Sequence, residues 1–133
     1  MIISLILIFY VLLRHTKDNN VPCNDILLSE KFDDPYRKDR TNHGGGLLVY
    51  LSKNIVHERL THLEVFCDES IWVKIKHGNK TCLLGVFYSP KTADRNFFDN
   101  FNNNIEMAYT ISDNFIILGD LNEDLHNQSY HNL

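Results

Sequence analysis

Asp120 and Asn122 stand two residues apart, directly after an apolar run, Phe115-Ile116-Ile117-Leu118, and a glycine, Gly119. A carboxylate can take a proton or bind a cation, and a carboxamide can donate to an oxyanion without adding negative charge. Together they suit phosphodiester hydrolysis, in which one group orients water and the other steadies a phosphate oxygen. The short apolar run closed by glycine predicts a buried strand ending in a turn. Gly119 lets the backbone bend sharply there, and the i, i+2 spacing in a near-extended segment points Asp120 and Asn122 the same way. Taken alone, a Gly-Asp-x-Asn segment is more often an Asx-type turn capping a surface loop.

The elements that must position this pair are readable from periodicity. Leu47 to Leu51 is a strand opened by the triple glycine Gly44 to Gly46, which is no phosphate loop because no Gly-Lys-Ser/Thr follows. Ser70 to Lys76 alternates Ile71, Val73 and Ile75 against Trp72, Lys74 and Lys76, the pattern of a half-buried strand. His77-Gly78-Asn79-Lys80 is a tight turn, and Thr81 to Tyr88 returns as a strand apolar on both faces, giving a β-hairpin. Pro90 ends that strand.

Ala93 to Tyr109 is predicted helical, with Phe97, Phe98, Phe101, Ile105 and Ala108 on one face, Thr92 as N-cap and Asp94 in the first turn. Asn102-Asn103-Asn104 weakens its intrinsic propensity, so the aromatic face must hold it by packing. Asn114 to Leu118 is the last strand. Asp33-Asp34-Pro35 marks a turn, as does the polar stretch Asp18 to Asn24 with Pro22. The order strand, strand, strand, helix, strand predicts an α/β fold with a mixed sheet packed by a helix. Tyr88, Asp120 and Asn122 each end or follow a strand, and are expected to converge at one end of the sheet.

Five segments recur in a recognisable order: Tyr36-Arg37-Lys38-Asp39-Arg40, Gly44-Gly45-Gly46-Leu47-Leu48-Val49-Tyr50, Glu69-Ser70-Ile71-Trp72-Val73-Lys74-Ile75, Gly85-Val86-Phe87-Tyr88-Ser89-Pro90, and Gly119-Asp120-Leu121-Asn122 with Asp124. From about Val21 to Leu125 this series resembles the endonuclease domain of non-LTR retrotransposon polyproteins, a branch of the endonuclease/exonuclease/phosphatase superfamily. The resemblance implies part of that superfamily's α/β sandwich, with mixed, largely antiparallel sheets. It implies one domain over residues 1–133, truncated at both ends, with 18–133 the matching region. It also implies a divalent cation, usually Mg2+, with DNA as substrate and a reverse transcriptase domain in the same polyprotein.

Carried over residue by residue, Asp120 and Asn122 match the pair that orients water and phosphate, and Tyr88 matches the tyrosine that positions the phosphate. Departures accompany the match. Where the family has a metal-binding Glu in a Glu-Thr-x-Leu element, this chain reads Arg14-His15-Thr16-Lys17. Glu30, in Leu28-Ser29-Glu30-Lys31, has a similar local look but falls late in the register. The early Asn and the late Ser-Asp-His element are absent. Mg2+ would then rest on Asp120 and waters, with Glu30 the only further candidate ligand, a weak arrangement for a hard cation. Low or absent hydrolytic activity is expected.

Composition bounds these expectations. The 133 residues suffice for one domain with a core. A net charge of −4 supplies no overall basic field for nucleic acid, so DNA contact would rest on local patches such as Arg37, Lys38 and Arg40, which on charge alone read as a solvated loop. Three cysteines, Cys23, Cys67 and Cys82, form no Cys-x-x-Cys pair and fit a reducing compartment, nuclear or cytoplasmic. Cys82 alternates with Leu84 and Val86 as a small buried hydrophobe. His126 and His131 near Asp120 read as solvent-exposed. Met1 to Leu13 is apolar apart from Ser4, yet shorter than the ~17–25 residues of a spanning helix. It reads first as a buried strand within residues 1–17, with a membrane anchor second and a poorly formed signal peptide also open.

Overall fold

A computed structural model describes residues 30–39, 46–65, 69–89 and 95–120. Two sheets are present among them. One pairs β1 (Tyr36–Asp39) with β2 (Gly46–Val49) antiparallel. The other has the order β3 (Val56–Arg59), β4 (Ser70–His77), β5 (Lys80–Tyr88), β6 (Phe115–Asp120), antiparallel except for the parallel β5–β6 pair. A helix, α1 (Arg95–Ile111), makes the crossover between β5 and β6, as a parallel pair requires. The architecture is α/β, with mixed and mostly antiparallel sheets and a covering helix.

The sheet's two faces bury different partners. Ile71, Val73 and Ile75 of β4 with Leu84 and Val86 of β5 pack against Leu47, Val49 and Leu51, so the small sheet covers one face. Trp72, Leu83 and Phe87 point the other way and pack with Leu60, Leu63 and Ala108, flanked by Phe97, Phe101, Ile105, Phe115 and Ile117. Period-two alternation thus splits each central strand between two cores. Gly85 keeps the helix side compact: a β-carbon there would meet Trp72, Phe87 and Ile117 side chains, each at 2.9 Å.

Polar contacts tie the small sheet to the large one. Glu64 is only 6% exposed. Its carboxylate accepts from Arg59 Nε at 2.9 Å and Nη2 at 2.8 Å, and from the Trp72 backbone N–H at 3.1 Å, with Lys38 Nζ 3.7 Å away. Arg59 Nη1 also donates to the Arg37 carbonyl at 3.1 Å, and Lys38 Nζ to that of Ser70 at 3.3 Å. The His57 ring bridges Tyr36 Oη and Asp33 Oδ2, each at 2.8 Å. A buried carboxylate needs such partners, since desolvation without them costs several kcal/mol.

Several sequence expectations need correction. Tyr36 to Asp39 forms a strand, and its Arg37 and Lys38 are half-buried and face carboxylates, Asp39 at 2.7 Å for Arg37. They are not a solvated loop: Lys38 reaches the Ser70 carbonyl and Glu64 across to the large sheet, while Arg37, on the opposite face of the strand, pairs with Asp39. Strand β3 carried no clear periodic signal. Trp72 is fully buried, so β4 is covered on both faces along its first half, and only Lys76 and His77 are exposed. Cys82 is half-buried, its thiol pushed up by that burial. Strand β2 stops at Val49, although Tyr50 and Leu51 stay buried. Strand β6 is not fully buried: Ile116 is 42% and Leu118 38% exposed, since the small sheet covers β4 and β5 on that face. On α1 the buried positions are Asn104 and Ala108. Asn104 Oδ1 accepts from Trp72 Nε1 at 3.1 Å while its Nδ2 donates to the Asn100 carbonyl at 3.0 Å. A residue read as a helix weakener is therefore the polar joint between helix and sheet.

Met1 to Leu13, Arg14 to Lys17, Asp18 to Asn24, Arg40, Gly44, Gly45, Cys67, Pro90, Thr92, Asp94, His126 and His131 lie outside the described residues. Among the described residues no helix is long and apolar enough to cross a membrane.

Candidate active site at the ends of three strands

The β4–β5 hairpin closes with a two-residue loop, Gly78-Asn79, in which Gly78 has φ +58°, the left-handed conformation that favours glycine. Such a loop fixes every later pair. His77 lies opposite Lys80 and Ser70 opposite Phe87. One step further the Tyr88 backbone N–H donates to the Glu69 carbonyl at 3.0 Å. On the other side of β5 the parallel register sets Tyr88 beside Asp120, and the Ser89 N–H donates to the Asp120 carbonyl at 2.8 Å.

Glu69, Tyr88 and Asp120 therefore occupy one row across the ends of β4, β5 and β6. Neighbouring strands stand about 4.8 Å apart, so the outer two backbones are about 10 Å apart. Tyr88 packs at the rim of the core that contains Leu84 and Val86, and register partners in a ladder share a face. Tyr88 and Glu69 are half-buried, while Asp120 is exposed.

Gly119 makes the last step of β6 possible. Its φ is +146°, and a β-carbon would come to 1.8 Å from the Phe87 carbonyl oxygen. Only glycine lets β6 lie this close to β5 at the point where Asp120 is presented. The role expected of Gly119 as a turn residue is thus replaced by a steric one within the ladder.

The structure places Tyr88 and Asp120 side by side. It does not bring Glu30 to them. Glu30 is exposed, next to Lys31, whose carbonyl accepts from the Lys53 N–H at 3.1 Å. Lys53 precedes β3, which starts opposite Lys76 near the hairpin loop, so Glu30 lies toward the far end of the sheet. Asn122 and Asp124 lie outside the described residues. Glu69 is the acid that sequence reasoning passed over, since it appears there only as the first residue of the segment leading into β4. The signal was available in the loop length, which sets Glu69 against Tyr88.

Two carboxylates flanking a tyrosine are hard oxygen donors of the kind a divalent cation accepts with water completing its shell. Among the described residues no cluster of three His, Cys, Asp or Glu side chains forms a ready-made cation site. A cation bound at this row would need water or substrate oxygens to complete its shell.

A search of curated proteins finds no match to this sequence. The sequence profile of the Endonuclease/Exonuclease/phosphatase family matches residues 9–133, spanning every strand and helix described above. With the two-sheet α/β layering and the row at the strand ends, that match makes the chain a member of the endonuclease/exonuclease/phosphatase family, a family of phosphodiester hydrolases.

Proposed function

We propose that this chain is part of a DNA endonuclease of the retrotransposon type, a phosphodiester hydrolase that works with Mg2+ and, as this chain, turns over slowly. The observation that carries the reading is the shared rung of Tyr88 and Asp120 at the ends of adjacent parallel strands. Asp120 orients and deprotonates the attacking water, and the Tyr88 hydroxyl donates to a phosphate oxygen. Asn122, two residues on, donates to a second oxygen. Asp120 and Glu69 would hold the cation, which when bound neutralises charge on the phosphate. DNA is the substrate, and a reverse transcriptase domain is the neighbour in the parent polyprotein.

Slow turnover follows from charge. A phosphodiester brings an anion to a row that already has Glu69 and Asp120, and like charges at close range repel unless a cation is well held. Arg14 and His15 occupy the place of the family's metal-binding Glu.

Purified protein incubated with supercoiled plasmid and Mg2+ tests the reading. Slow nicking is expected, reduced about a hundredfold in Asp120→Ala and reduced by Glu69→Gln. Nicking that survives Asp120→Ala would overturn the assignment. Plasmid left intact by the native chain would instead favour a non-catalytic remnant, or a small protein anchored through Met1 to Leu13.

A further inference from the structure

The small sheet delivers a cation to the end of the large sheet where the row stands. Its strand β1 runs toward that end: the Tyr36 hydroxyl meets His57, which lies opposite Ile75, whereas Lys38 Nζ donates to the Ser70 carbonyl at 3.3 Å. Ser70 directly follows Glu69. Tyr36 packs against the core between the sheets, and Lys38, two residues on, shares its face of the strand. Tyr88 packs at the rim of the same core, so Lys38 approaches the large sheet from the side that the row faces. The path from its ammonium through the Ser70 carbonyl to the Glu69 Cα is at most about 10 Å.

The neighbouring charges do not cancel this one. Glu64 accepts from Arg59 Nε at 2.9 Å and Nη2 at 2.8 Å, which match its charge, so Lys38 at 3.7 Å is a second cation on one carboxylate. Arg37 and Asp39 match each other at 2.7 Å on the opposite face of β1. The row brings two acids, Glu69 and Asp120. Lys38 stands beside the Glu69 end with its side chain 24% exposed and its ammonium held at the Ser70 carbonyl and Glu64.

We propose that Lys38 is a positioning residue of the row, a fixed counter-charge that offsets Glu69 and so favours a phosphodiester there while weakening the row's hold on a cation. The inference rests on the reading of the row as a phosphodiester site. Lysine on an open surface is mobile and screened, whereas partial burial and two contacts keep this charge in one place. A unit charge about 10 Å away, with a surface-like effective dielectric and a Debye length of about 8–10 Å, changes affinity about threefold per unit charge on the ligand. The sign is opposite for a cation and an anion. A residue that only held the sheets together would weaken both when replaced.

Lys38→Gln tests this, because the amide can still donate to the Ser70 carbonyl while the charge is gone. Mn2+ binding to the full chain, followed by the electron paramagnetic resonance of the free ion, is expected to tighten about fivefold to tenfold in Lys38→Gln and to stay unchanged in Lys38→Arg. Anisotropy of a labelled DNA duplex at 50 mM salt in EDTA is expected to show binding about threefold weaker in Lys38→Gln and unchanged in Lys38→Arg. Unaltered or weaker Mn2+ binding in Lys38→Gln overturns the proposal, as does duplex binding that this variant leaves unaltered. Loss of its native circular dichroism also overturns it, since Lys38 would then serve the scaffold alone. Mn2+ binding that survives intact in Asp120→Ala would instead refute the row as the cation's place. Neither readout involves cleavage, so plasmid left intact by the native chain leaves this inference standing.

Discussion

Replacing Gly119 by alanine probes the contact that presents Asp120. The new β-carbon would sit 1.8 Å from the Phe87 carbonyl oxygen and 2.7 Å from its carbon, both backbone atoms that cannot swing aside. A φ of +146° is in addition a conformation that residues with a side chain adopt only at a cost of about 1–3 kcal/mol. Relief requires β6 to move away from β5, which breaks the 2.8 Å bond from the Ser89 N–H to the Asp120 carbonyl, worth about 1 kcal/mol net. The sum is about 2–4 kcal/mol, or a fall of roughly 1–2 M in the urea midpoint at ordinary slopes for a small domain. Gly78→Ala separates the two causes. Gly78 also has a left-handed φ, +58°, but nothing lies within 4 Å of its absent β-carbon, so only the conformational cost of about 1 kcal/mol applies. Urea unfolding followed by circular dichroism measures both. If Gly119→Ala is no more destabilising than Gly78→Ala, the close approach of β6 to β5 is not as described.

Asn104→Ala leaves the indole N–H of Trp72, the chain's single tryptophan, buried without its acceptor. A loss of about 1–3 kcal/mol is expected, with a shift in Trp72 fluorescence, and unchanged emission and stability would refute the joint. Burial raises the Tyr36 hydroxyl above the ordinary tyrosine value of 10.0. A group whose folded value is raised stabilises fully below its unfolded value, so Tyr36 contributes up to about pH 10 and its contribution is lost as pH rises through the raised value. Tyr36→Phe should flatten the alkaline limb of the stability profile and remove one late-titrating phenol at 295 nm. A native profile in which all six tyrosines ionise together would contradict the half-buried Tyr36–His57 contact.

What could be read from the sequence was whatever local pattern decides. The hairpin, the apolar alternation of β4 and β5, the Phe-bearing helix and the strand leading to Asp120 all follow from period and turn chemistry, to within two residues at most boundaries. The face of β4 that bears Trp72 escaped because its neighbours Lys74 and Lys76 made it look solvated, while burial there comes from α1, distant in sequence. β1 and β3 escaped because four-residue strands rich in charge have no periodic signature, and their pairing rests on Glu64 and His57 contacts across 5 to 24 positions. For the site, Tyr88 and Asp120 were legible as strand ends, whereas Glu69 required counting residues through the hairpin loop. Glu30 has only a local resemblance to the family's metal-binding Glu, and local resemblance carries no information about which end of a sheet a residue reaches.

The row of Glu69, Tyr88 and Asp120 is a rung of a ladder whose spacing is set by backbone hydrogen bonds and owes nothing to the side chains on it. Its occupants can therefore be exchanged without disturbing the scaffold, and a carboxylate lost from one strand can be made good by one at the end of another. Descent can then dismantle or rebuild the chemistry of such a domain by single substitutions while Trp72, Gly85 and Gly119 keep the frame. In a chain of this kind fold and activity are inherited separately, and the rung is the place where they part.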